Sequence, residues 1–183
     1  TLRRRAFRFV SRRAGGRVRP ETDVWLVDTL GELLTFYAAA DVAFVAGSLV
    51  PIGGHNLLEP AALGLPILTG PYNFNSEDVE SLFLEVGAAR TVVDATELAN
   101  EVSRLLEDPT ERHRMGEIGR QTLDQNRAHR GLLQAAIGRA AERHVGIDLV
   151  VDWAEFRERV GEALLRSGDR ARFLLAAALV GAL

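Results

Sequence analysis

The sequence has no cysteine and no lysine. Without cysteine there is no disulfide framework and no thiolate metal site, which fits a reducing compartment. All 22 basic residues are arginine, a bias that fits a GC-rich genome rather than a function. Acid is missing from residues 1–20, which hold eight arginines. That local charge of +8 leaves −11 on the remainder of a chain whose net charge is −3. The overall balance gives no global nucleic-acid signal, and no nucleic-acid partner is expected. The arginine cluster reads as a solvated face, the alternative being contact with an anionic lipid surface or a nucleotide. Long apolar runs are lacking too. The longest, residues 173–183, falls well short of the ~20 residues that a membrane-spanning helix needs. No signal peptide is visible.

What is present suits one globular domain, or a domain with an appendage: 183 residues, 47% of them hydrophobic. The chain is organised around residues 47–71. An apolar strand at residues 42–45 runs into a loop with the adjacent glycines Gly53 and Gly54. A short helical pattern covers residues 56–63, Gly64 stops it, and residues 66–69 read as the next strand. In an open parallel sheet, the loop leaving the carboxyl end of a strand is where ligands bind. Glycines let the backbone approach a ligand closely, and the amides that follow suit an anion, so the loop suggests a phosphate or a ribose. Asn56 is placed to cap the helix, with Glu59 at capping-box spacing. The functional reading of Glu59 is that its carboxylate accepts from two sugar hydroxyls. Pro60 should bias Glu59 away from helix and hold it at a kink.

Elsewhere the pattern alternates. Residues 1–14 read as the end of a helix that opens in mid-pattern, as if inside a longer protein, and Gly15-Gly16 breaks it. Residues 23–28 read as a buried strand. Thr29 is an N-cap with Glu32 three residues on, and a helix is expected over residues 33–40. Asn75 or Ser76 should cap a helix to about Glu85, closed by Gly87. A strand over residues 90–93, a helix over 95–106 and a long helix over 111–141, bent at Gly131, follow. Repeated alternation of strand and helix predicts an α/β fold, a Rossmann-like parallel sheet with helices on both faces, lacking its first strands. The expected organisation is one domain over residues 1–144 and a helical tail over 145–183. His113, His129 and His144 read as surface residues without metal-ligand spacing. His55 is loop-borne, and its neighbours favour donation to an anionic oxygen. Pro71 and Phe74 read as shaping a loop, and Asn75 as a cap.

Several motifs agree in order. They are Asp28-Thr29-Leu30-Gly31-Glu32-Leu33, then the stretch from Tyr37 to Val45, then Gly47-Ser48-Leu49-Val50-Pro51 with Gly53-Gly54-His55-Asn56 and Glu59-Pro60-Ala61-Ala62, then Gly70-Pro71 with Phe74-Asn75. Over roughly residues 7–141 the chain resembles the carboxyl-terminal domain of 3-deoxy-D-manno-octulosonic acid (Kdo) transferases. Ala46, usually glycine in that family, and Leu30, usually methionine, depart from the pattern. The resemblance implies the carboxyl half of a two-domain GT-B glycosyltransferase. It implies inverting transfer of Kdo from CMP-Kdo to the lipid A precursor of lipopolysaccharide, with no cofactor and no metal. It places Gly31 and Glu32 on a loop facing the cytidine. Ser48, Gly53, Gly54, His55 and Asn56 would hold the phosphate and the Kdo carboxylate, and Glu59 the ribose. The family's catalytic carboxylate, acceptor surface and membrane anchor lie in its amino domain, at the cytoplasmic face of the inner membrane, so no catalytic residue is expected here. The alternatives are another nucleotide-sugar enzyme of this plan, such as an epimerase or a different glycosyltransferase, or a non-catalytic fragment that only binds nucleotide.

Overall fold

The computed structural model of the protein describes residues 8–127. Along them run β1 (Phe9–Ser11), β2 (Val24–Leu26), α1 (Leu33–Tyr37), β3 (Ala43–Val45), α2 (Leu58–Ala62), β4 (Ile67–Thr69), α3 (Glu77–Glu85), β5 (Ala89–Thr91), α4 (Ala95–Glu107) and α5 (Pro109–Arg127). Every strand pairing among the described residues is parallel. β1 pairs with β2, Phe9 opposite Val24. The second sheet has the order β3-β4-β5, with Phe44 opposite Leu68 and Leu68 opposite Arg90.

The core follows from strand alternation. β3 and β4 are buried along their whole length, as continuous apolar runs in a parallel sheet should be. Val45 and Ile67 point to one side, where they meet Leu57, Leu58 and Ala61 at α2 and Phe83 of α3. Phe44 and Leu68 point to the other, against Leu98, Val102 and Leu105 of α4. Helices therefore cover both faces of this sheet. The last helix serves both layers, since Met115 joins one cluster and Leu123 the other. Each such side chain contributes about 1.5–3 kcal/mol by leaving water. Arg90 bridges the layer's edge, pairing with Glu101 of α4 and Glu111 of α5.

Helix ends are set by glycine where the sequence puts it. Gly64 (φ +69°) and Gly87 (φ +77°) each follow a helix in the left-handed region. Gly64 N–H donates to Ala61 O and Leu65 N–H to Pro60 O. Gly87 N–H donates to Leu84 O and Ala88 N–H to Phe83 O, repeating the pattern. Both are Schellman ends, which satisfy the last carbonyls.

Four local expectations are corrected. Residues 9–11 form a strand, not a helix end, because Arg8 is pinned to Asp23 through its backbone N–H and its guanidinium, which sets β1 beside β2. Thr29 does not cap α1. Its hydroxyl donates to the Glu32 carboxylate, and Glu32 itself precedes the helix, which ends at Tyr37 rather than Ala40. α2 begins at Leu58, two residues later than expected, with Asn56 ahead of its N-cap. Pro60 does not keep Glu59 out of the helix, since both lie in α2. It is the third residue of α2, where its missing N–H would have no intrahelical partner. Among the described residues no helix is long and apolar enough to cross a membrane. The expectations for residues 128–183, including Gly131, His129, His144 and the domain boundary at 144, lie outside the described residues.

Candidate glycine-loop site

Residues 46–57 leave the carboxyl end of β3 and turn back on themselves. Gly47 (φ +78°), Gly53 (φ +110°) and Gly54 (φ +67°) take backbone conformations that L side chains rarely adopt. Gly54 N–H donates to Gly47 O at 2.9 Å, which closes the loop. The His55 ring lies over Gly47, with Cδ2 and Nε2 each 3.2 Å from where a Cβ would stand. Asn56 makes an Asx turn into α2: its Oδ1 accepts from Leu58 N–H at 2.9 Å. Its amide faces the Glu59 carboxylate at 3.4 Å. Glu59 is half-buried in the first turn of α2. Buried Tyr37 lies close enough to feel it: desolvation first, and the Glu59 charge second, push the phenol above its ordinary range. Tyr37 is therefore a neutral phenol beside a carboxylate.

Gly53, Gly54, His55, Asn56 and Glu59 thus fall on one loop and the helix start it feeds. Ser48 differs from Gly54, His55, Asn56 and Glu59, which are half-buried. It is fully buried, its hydroxyl donates to Val45 O at 2.6 Å, and the same oxygen accepts from Gly70 N–H at 2.7 Å. Its one proton is committed to the scaffold, so it braces the loop against the end of β4.

Gly31 and Glu32 sit on a second loop, from the carboxyl end of β2. Gly31 is exposed with φ +81°. The Glu32 carboxylate is held below its ordinary range by the Thr29 hydroxyl and then by Arg12. Asp28 is lowered likewise, by the Arg13 N–H and then the Ser11 hydroxyl. Arg12, on the residue after β1, donates to Glu32 at 2.9 Å. Sequence reasoning grouped Arg12 with a solvated cluster. The signal that could have found it is its place just after the apolar pair Phe9 and Val10, once those are seen as a strand. Among the described residues no group of three or more His, Asp or Glu is placed to hold a metal ion.

A parallel α/β unit with a glycine loop feeding a helix is the plan of a nucleotide-binding domain, a plan that many functions share. The family of glycosyl transferases group 1 matches residues 22–122, and the chain belongs to it. It is 38% identical over 127 residues to the 3-deoxy-D-manno-octulosonic acid transferase of Haemophilus influenzae, covering 69% of this chain and 30% of that protein. It is 42% identical over 113 residues to the enzyme of the same name from Bordetella pertussis, covering 61% of this chain and 26% of that one. The chain therefore spans less than a third of these relatives. Among solved structures it resembles the C-terminal CMP-Kdo binding domain of WaaA from Acinetobacter baumannii, with 31% identity and a TM-score of 0.65 over 67% of this chain and 64% of that one.

Proposed function

We propose that this chain is the donor-binding part of a Kdo transferase, holding CMP-Kdo for inverting transfer to the lipid A precursor. The observation that carries the reading is the glycine loop itself. Three left-handed glycines shape the loop at the carboxyl end of β3, and Glu59 follows directly in α2. CMP-Kdo presents two anions, a phosphate and a carboxylate, beside a ribose diol. The Gly54 N–H is committed to Gly47 O, so it is the amides on either side of it and the His55 ring that suit the anions, as backbone N–H groups in such turns can form an anion-binding concavity. Glu59 suits the diol, as an ionised carboxylate is an acceptor only. Gly31 and the residues around it suit the base.

Arg12 extends the binding face with a cation. Its pair with Glu32 is exposed, at 45% and 35% for the two side chains, so it contributes less than about 1 kcal/mol to stability. Arg12→Ala should therefore leave the melting temperature unchanged while weakening CMP-Kdo at least fivefold, read by titration calorimetry beside a melting curve. Equal affinity would remove Arg12 from the site.

The reading needs no metal and no cofactor. On this reading, acceptor binding, the catalytic base and attachment to the cytoplasmic face of the bacterial inner membrane belong to the amino-terminal half of a Kdo transferase. The test is transfer itself. The complete protein, given CMP-Kdo and lipid A precursor, should form a Kdo-bearing lipid. Turnover with a different nucleotide sugar and none with CMP-Kdo would overturn the reading.

A further inference from the structure

The glycine loop is moulded from behind by residues 70–76, which connect β4 to α3. Tyr72 N–H donates to Ser48 O at 2.9 Å and Asn75 N–H to Gly53 O at 3.2 Å. The Asn75 amide reaches Ile52 O at 3.4 Å, and the Phe74 ring lies against Gly53, 2.6 Å from where a Cβ would stand. At the centre is Asn73, 3% exposed. Its Nδ2 faces Gly70 O at 2.6 Å, Glu80 Oε1 at 2.6 Å and Thr69 Oγ1 at 2.8 Å. A carbonyl and a carboxylate only accept, so the amide cannot turn round without setting oxygen against oxygen. Its Oδ1 is thereby aimed the other way. It is buried without a hydrogen-bond donor and lies 1.9 Å from where a Cβ on Gly54 would stand.

A buried carbonyl without a donor is costly, and such an exception calls for an explanation. The explanation here is shape. Three acceptors on one side fix the amide, and the oxygen on the other side is pressed against the Cα of Gly54. We propose that Asn73, clamped by Glu80, is a positioning residue that holds Gly54 in its left-handed conformation and so sets the shape of the nucleotide-binding loop. The functional part rests on the donor-binding reading; the placement does not. Glu80 is suited to the clamp because it sits on α3, a rigid element, one turn beyond the loop. The Glu80 carboxyl stays above its ordinary range because desolvation outweighs the Asn73 amide, which pulls the other way and favours the charged acceptor.

Amide hydrogen exchange and CMP titration on the 183-residue chain test this together. Asn73→Ala removes both the clamp and the oxygen. Exchange of the Gly54 amide, bonded to Gly47 O, should accelerate at least tenfold while amides of β4 and α4 keep their rates. CMP affinity should fall at least fivefold. Glu80→Gln keeps an acceptor and should stay within twofold of the parent; Glu80→Leu should follow Asn73→Ala, and it gives the same reading if Asn73→Ala fails to fold. Unchanged Gly54 exchange, or equal acceleration throughout β4 and α4, would overturn the proposal, the second by making Asn73 a scaffold residue only. If the parent chain does not bind CMP, the donor-binding reading fails, and the exchange pattern still decides the positioning role.

Discussion

Glu59→Gln should weaken CMP roughly ten- to hundredfold while leaving the melting curve almost in place. The two effects separate because Glu59 has two partners of different kinds. Among the described residues its hydrogen bond to the protein is with the Asn56 amide, at the long distance of 3.4 Å, and a glutamine oxygen can accept from that amide equally well. Toward the ligand, the carboxylate is proposed to accept from two ribose hydroxyls. A hydrogen bond to a charged group contributes about 1.5–3 kcal/mol, which is the stated loss of affinity. Tyr37 sharpens the expectation. A buried neutral phenol beside Glu59 cannot replace its charge, and the amide brings none of its own. Titration calorimetry beside thermal melting reads both quantities. Unchanged affinity would return Glu59 to a purely structural role at the start of α2.

Gly116→Ala carries the largest expected stability effect, and it lies far from the loop. In helix propensity alone, alanine should gain about 1 kcal/mol over glycine. Against that, a Cβ at position 116 would stand 1.8 Å from Gly64 O and 2.6 Å from its carbonyl carbon. Both atoms belong to the backbone that ends α2, so neither can swing aside. α5 would have to move away from α2, loosening Met115 and Leu123, which are 0% and 4% exposed. Overpacking usually costs about 1–3 kcal/mol and occasionally more; with backbone against backbone about 3–5 kcal/mol is expected, which less the propensity gain leaves a net loss of about 2–4 kcal/mol. For a domain of this size that is a fall in melting temperature of about 10 °C. Gly119 is the control on the same helix. The nearest atoms to a Cβ there are Ala88 Cβ at 3.4 Å and Ala61 Cβ and Cα at 3.8 and 3.9 Å, ordinary van der Waals contacts, so Gly119→Ala should be neutral or stabilising. Equal melting of the two variants would contradict the packing described for α5.

The central unit, β3 to β4, was legible because its signals are local. A buried parallel strand is an uninterrupted apolar run, and Gly64 marks the end of α2 by itself. Apart from the start of α2 and the place of Pro60 in it, what was misread depends on partners distant in the chain. β1 spans three residues, too few for any period to show, and its partner β2 lies fifteen residues on. Thr29 and Glu32 have capping-box spacing, but Arg12, twenty residues upstream, takes up the carboxylate with Thr29. Ser48 stands in the glycine loop as a ligand-binding serine would, yet its hydroxyl is spent between Val45 and Gly70, the latter twenty-two residues away. Asn73 carried no signal at all in the sequence. Its importance appears only when Gly54 and Glu80 are brought to its two sides.

Nucleotide selectivity of the 183-residue chain tests the donor-binding account most directly. Cytidine presents an exocyclic amine where uridine presents a carbonyl, and a site built to bond one rejects the other. Titrated in parallel, CMP should bind with one site per chain and at least tenfold more tightly than UMP, AMP or GMP. Binding of UMP or a purine nucleotide as tight as that of CMP, or no binding of CMP at concentrations that saturate a Kdo transferase, would contradict it.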